Sequence, residues 1–181
     1  MYPLFIPPEP LLHRRPPKEW TDEQAKLYFH WLLSVEDLRV AGLLKELDLS
    51  PVGSEMEVEY LREAGSRVAA RLPLPSFSTS RNKGWELTGQ GSALAADMGL
   101  LVAQFLIKKS AMKIHWDVRK EPTRDASYNL PVLFGTHPRM ALDPIGGSLA
   151  ESKAILRGQS TANIWADTFT HWLRVLLPSR A

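Results

Sequence analysis

Residues 92–118 read SALAADMGLLVAQFLIKKSAMKIHWDV, and this stretch decides the fold class. Its first part carries Leu94, Met98, Leu101, Val102 and Phe105 at helical spacing, and Lys108 and Lys109 close the end where the helix dipole is negative. The period then changes. Ile114, Trp116 and Val118 alternate with Lys113, His115 and Asp117, which predicts a half-buried strand directly after a core helix. A helix of period 3.6 followed by a strand of period 2 points to α and β structure within one domain.

Downstream, the polar run 117–129 (DVRKEPTRDASYN) leads to Val132, Leu133 and Phe134, a second strand able to pair with the first as a hairpin. Asp143, Pro144, Gly146 and Gly147 read as a turn, Ser148 with Glu151 as a capping box, and Gly158 as the end of a short helix. Thr161 opens a last helix with the stripe Trp165, Phe169, Trp172 and Leu176, which Pro178 stops. Upstream, Thr21 with Gln24 forms a capping box behind Asp22 and Glu23, starting one long helix or two joined near Ser34. Ser54 with Glu57 caps a further helix carrying Val58, Leu61, Val68 and Leu72, and Pro73 ends it. The stretch 73–84 (PLPSFSTSRNKG) reads as an exposed loop.

The expected fold is therefore α+β. A mainly helical single domain of five or six helices packs on a small sheet of two or three strands. Residues 1–19, with six prolines, form an extended arm, and 20–181 form the globular domain. A chain of 181 residues with 44% hydrophobic and 23% charged residues can bury a sizeable core without staples. The absence of cysteine excludes disulfides, thiolate metal sites and cysteine nucleophiles, and favours a reducing cytoplasm. The prolines at 3, 7, 8 and 10 break the apolar start before a signal sequence could form, and no membrane association is expected. Net charge is +2, too balanced for a dedicated nucleic-acid binder.

Chemistry-bearing residues are sparse. His13, His30, His115, His137 and His171 have no second ligand at metal-site spacing, so neither a metal nor a cofactor is expected. No nucleophile elbow, Walker loop or dinucleotide fingerprint occurs, and Gly89-Gln90-Gly91-Ser92 reads as a plain turn into a helix. Asp97 shares a helical face with Gln104 and Lys108, which places it in solvent. Trp31, Trp116, Trp165 and Trp172 fall on or beside apolar stripes and are expected in the core. The richest polar cluster is Arg119, Lys120, Arg124, Asp125, Tyr128 and Asn129, between the two strands. Such a loop on a rigid support is the place to seek recognition, because Arg and Tyr are common interface anchors.

The order Trp116, Tyr128-Asn129, Pro131-Val132-Leu133-x-Gly135 and Asp143-Pro144, with Tyr28-Phe29-His30-Trp31-Leu32 in the first helix, resembles small uncharacterised bacterial proteins. The resemblance brings no established activity, but some proteins of that kind look like immunity or accessory proteins beside toxin genes. It implies a non-enzymatic protein that binds another protein, such as a toxin or a secretion partner, through exposed loops. Two alternatives stand beside it: a small hydrolase or transferase using Asp97, Asp117, Asp125 or His137 in a cleft, and a weak nucleic-acid or phosphate binder using Arg119, Lys120 and Arg124.

Overall fold

The computed structural model describes residues 2–7, 16–51, 58–72, 86–137 and 139–178. Along them run α1 (Asp22–Glu46), α2 (Val58–Arg71), α3 (Gly89–Lys109), β1 (His115–Val118), β2 (Pro131–Phe134), β3 (Ala141–Leu142), α4 (Pro144–Leu156) and α5 (Ile164–Leu176). This is the mainly helical α+β fold that the sequence predicts, with a three-stranded antiparallel sheet in the order β1-β2-β3. The Ser54–Glu57 capping box, the 73–84 stretch, His13 and Trp85 lie outside the described residues.

The capping box at Thr21 forms as the residue types require. Thr21 Oγ1 accepts from the Gln24 N–H at 3.2 Å, and Gln24 Oε1 accepts from the Thr21 N–H at 2.9 Å. The helix then runs unbroken through Ser34, whose hydroxyl donates to the Trp31 carbonyl at 2.7 Å and so needs no break in the chain.

α3 begins earlier than its apolar pattern suggests. Thr88 caps it by accepting from the Gly91 N–H at 3.0 Å, so Gly89-Gln90-Gly91-Ser92 is its first turn rather than a turn ahead of it. From Ala93 to Ala103 every residue is buried, because α1, α2, α4 and α5 all pack around this one helix. The sequence predicts a single apolar face and no membrane-length apolar run. α3 is nonetheless the one described helix long and apolar enough to cross a bilayer, and 78% of that window is covered by the rest of the chain. The closest approach is to α4: a Cβ at Gly99 would meet the Pro144 carbonyl carbon at 2.9 Å.

The α4 start differs from the expected one. Asp143 is the cap, its Oδ1 accepting from the Gly146 N–H at 2.8 Å, and Pro144 takes the first helical position, where its fixed φ and missing N–H cost nothing. Ser148 and Glu151 consequently sit inside the helix and form no capping box. Ser148 Oγ instead accepts from the buried Trp165 indole N–H at 2.8 Å. α5 likewise starts at Ile164, three residues beyond Thr161, whose carbonyl accepts the Ile164 N–H at 3.1 Å. Its Trp165, Phe169 and Leu176 are buried as expected, with Trp172 packed at the core edge.

β1 and β2 form the expected hairpin, with Trp116 opposite Leu133 and Val118 opposite Pro131. β3 adds an edge through Leu142 opposite Leu133. The sheet contributes Ile114, Val132, Leu133 and Leu142 to the same core that α3 fills.

Candidate binding surface

The hairpin connection holds the polar cluster predicted from sequence, and most of its side chains are engaged within the chain. Arg119 Nη2 pairs with Asp125 Oδ2 at 2.9 Å in a half-covered position. Lys120 Nζ donates to Asp22 Oδ1 at 2.7 Å and to Asn129 Oδ1 at 2.8 Å. It thereby holds the Asp22 carboxyl below the usual range. Asn129 is buried and adopts a left-handed φ of +66°, which Asn tolerates better than most residues. Its amide donates to the carbonyls of Pro17 and Trp20 at 3.0 and 3.1 Å. The loop is therefore a clasp joining the segment before α1 to the sheet. Of the six predicted residues, Arg124 is exposed and Tyr128 is half-buried, while Arg119, Lys120, Asp125 and Asn129 have the intramolecular partners just named.

The four groups of the hydrolase alternative do not converge. Asp117 Oδ1 accepts from the Val118 N–H at 2.7 Å at the surface. Asp125 serves Arg119 and also accepts the Ser127 N–H at 2.9 Å. His137 Nδ1 accepts from the Arg139 N–H at 3.2 Å.

Asp97 overturns its solvent placement. It is fully buried, and Arg39 of α1 donates to both its oxygens, Nε to Oδ1 at 2.8 Å and Nη2 to Oδ2 at 2.7 Å. The Tyr2 hydroxyl donates to the same carboxylate. Burial raises the Asp97 carboxyl, while Arg39 and Tyr2 pull it back toward the ionised form. Helical spacing on α3 could not reveal this, because both partners come from distant parts of the chain. The available signal was an acidic residue inside an uninterrupted apolar run, a place that an Asp occupies only when paired.

Two further titratable groups escaped the sequence reading. Glu36 of α1 is buried and accepts from the Trp116 indole N–H at 3.2 Å, and burial pushes its carboxyl up to about 6. Glu151 of α4 accepts from the Thr168 hydroxyl of α5, and burial pushes it up to about 7. Among the described residues no three His, Asp or Glu side chains group as metal ligands would. An open depression of about 500 Å³ at the end of α5 is lined by Lys113, Thr136, Leu177 and Pro178, and none of these is a carboxylate or a histidine.

Arg39 also connects α1 to the arm. Its Nη1 donates to the Leu4 carbonyl at 3.0 Å and its Nη2 to that of Pro3 at 3.2 Å, with the guanidinium 5.1 Å from the Phe5 ring centre. Phe5 packs edge-on against Trp31 at 5.3 Å. Among the described residues, five of the six exposed large hydrophobic residues, Leu4, Ile6, Leu27, Leu33 and Leu38, belong to this arm or to α1; Met112 is the sixth. Leu27, Trp31, Ser34 and Leu38 follow one another by four, three and four residues, which sets them on one stripe of α1. Leu27, Ser34 and Leu38 are exposed there, while Trp31, expected in the core, is half-buried at its edge beneath Phe5. Leu38 is 76% exposed there. Compared with family models, curated proteins and solved structures, the chain matches none of them.

Proposed function

We propose that this chain is a non-enzymatic protein-binding protein, of an immunity-like or accessory kind in a bacterial cytoplasm, whose partner is another protein such as a toxin or a secretion component. The observation that carries this reading is the exposure of Leu27 and Leu38 on one stripe of α1, with Leu4 and Ile6 exposed on the arm that packs on Trp31 of the same stripe. Contiguous exposed apolar surface costs solubility and is characteristic of interaction sites. The Lys120–Asp22 bond sets the 119–129 loop beside the start of α1, the helix that carries this surface. The catalytic alternative lacks support from any carboxylate–histidine contact seen above. The nucleic-acid alternative is weakened by the carboxylate partners of Arg119 and Lys120.

The reading is tested with the double substitution Leu27→Ser and Leu38→Ser, at two exposed positions. Immobilised wild-type protein should retain a defined protein from the native cell extract, and the double variant should retain at least tenfold less of it while melting at the same temperature. Equal retention by both proteins would remove α1 as the binding surface.

A further inference from the structure

We propose that the groove between α1 and α3 is a binding site for an extended peptide with a tyrosine anchor, and that residues 2–7 occupy it as the chain's own tethered ligand. The groove has the parts such a site needs. At its floor the Asp97 carboxylate accepts the phenol of Tyr2, so the site reads a hydroxyl as well as a ring. Above it Arg39, whose side chain is only 13% exposed, is fixed by its two bonds to Asp97. It turns its remaining donor capacity to the main-chain carbonyls of residues 3 and 4, which any extended peptide would present. Three residues after the tyrosine, an aromatic ring meets Trp31 and the guanidinium. Tyr2 is buried, whereas Pro3, Leu4 and Ile6 are exposed, so the anchors are Tyr2 and Phe5.

The manner of attachment separates this arm from an ordinary part of the core. Among the described residues no backbone-to-backbone hydrogen bond joins residues 2–7 to the helices, and the hydrogen bonds that hold the segment come from side chains of α1 and α3. Every one of these contacts could be made equally by a separate chain. A tethered occupant acts at an effective concentration in the millimolar range, so free peptide competes poorly until the arm is weakened. The proposal goes beyond the protein-binding reading: it rests on the contacts of Tyr2 with Asp97 and of Arg39 with the arm, and it shares Trp31 and the arm with the outward stripe. The outward stripe of α1 can fail as a docking face without altering the groove.

The test uses the full chain and a fluorescent synthetic peptide of residues 1–7, followed by anisotropy. The Tyr2→Ala chain, with its own anchor removed, should bind the peptide at least tenfold more tightly than wild type. The same peptide with Phe in place of its Tyr should bind that variant at least tenfold more weakly, because the buried carboxylate then lacks its donor. The Tyr2→Phe chain, which changes only the hydroxyl, should fall between wild type and Tyr2→Ala. A folded Tyr2→Ala chain that binds neither peptide, or both equally, overturns the proposal. A Tyr2→Ala chain that no longer folds also overturns it, by showing that the arm is a fixed part of the core.

Discussion

At the residue scale, the decisive side chain is Asp97. A carboxylate at the centre of an apolar helix is expensive unless both oxygens are satisfied, and here Arg39 and Tyr2 satisfy them. Asp97→Ala would leave the guanidinium and the phenol without their acceptor in a covered place. It should cost about 3–5 kcal/mol in a urea denaturation experiment. A loss below about 1 kcal/mol would mean that Arg39 swings out to water and the pair is not tightly held. Arg124 is the counterexample: it is exposed, and Arg124→Ala should change stability by no more than about 0.5 kcal/mol. Sequence placed Arg124 and its neighbours correctly on a loop. It could not show that Arg119, Lys120 and Asn129 are drawn back onto Asp125, Asp22 and the Pro17 and Trp20 carbonyls, since those bonds exist only once α1 and the sheet meet.

At the element scale, three helices end in the same way. The N–H groups of Leu49, Met112 and Gln159 bond back to the carbonyls of Leu44, Ile107 and Ala154, and the residue before each is left-handed: Asp48, Ala111 and Gly158. Only at Gly158 does the residue type announce the geometry. Ala111 holds φ +49° against the repulsion of its own Cβ. Ala111→Gly should therefore stabilise the protein by about 0.5–1 kcal/mol, visible as a higher melting temperature, despite the greater freedom of glycine in the unfolded chain. A lower melting temperature would show that the methyl group makes packing contacts outweighing the strain. Helix starts were legible where the cap and its partner are local, as at Thr21 and Gln24. At α4 two local signals competed, and Asp143-Pro144 prevailed over Ser148–Glu151 because the chain must turn directly out of β3.

At the scale of the whole molecule, packing around α3 covers carboxyl groups that have no cation beside them, and this makes stability depend on pH. Glu151, lifted from 4.5 to about 7, keeps a proton in the folded state that the unfolded chain releases near 4.5. The folded state therefore binds more protons than the unfolded state between those values, and stability falls as pH rises from about 5 to about 7. Glu36, lifted to about 6, adds to the same trend over the lower part of that window. Glu151→Gln is neutral throughout and can still accept from Thr168, so melting temperatures recorded from pH 5 to 8 should decline less steeply for this variant than for wild type. Parallel curves would mean that Glu151 is solvated in the folded protein.

Periodicity, caps and composition by themselves determined most of the element types and their order, because these depend on interactions within a few residues of the chain; the two-residue β3 is too short to carry a period and is made by its pairing with β2. They yielded the start of the first helix at Thr21, the core helix, the hairpin after it and the last amphipathic helix, while one long first helix or two joined near Ser34 fitted equally until the structure showed one. Only the tertiary structure decided that α3 is buried on every side, that its Asp97 meets a tyrosine 95 residues away, and that the polar loop is a clasp. Those outcomes rest on which surfaces meet when the helices assemble. A helical pattern gives the direction of a side chain about its own axis and carries no information on what stands opposite it.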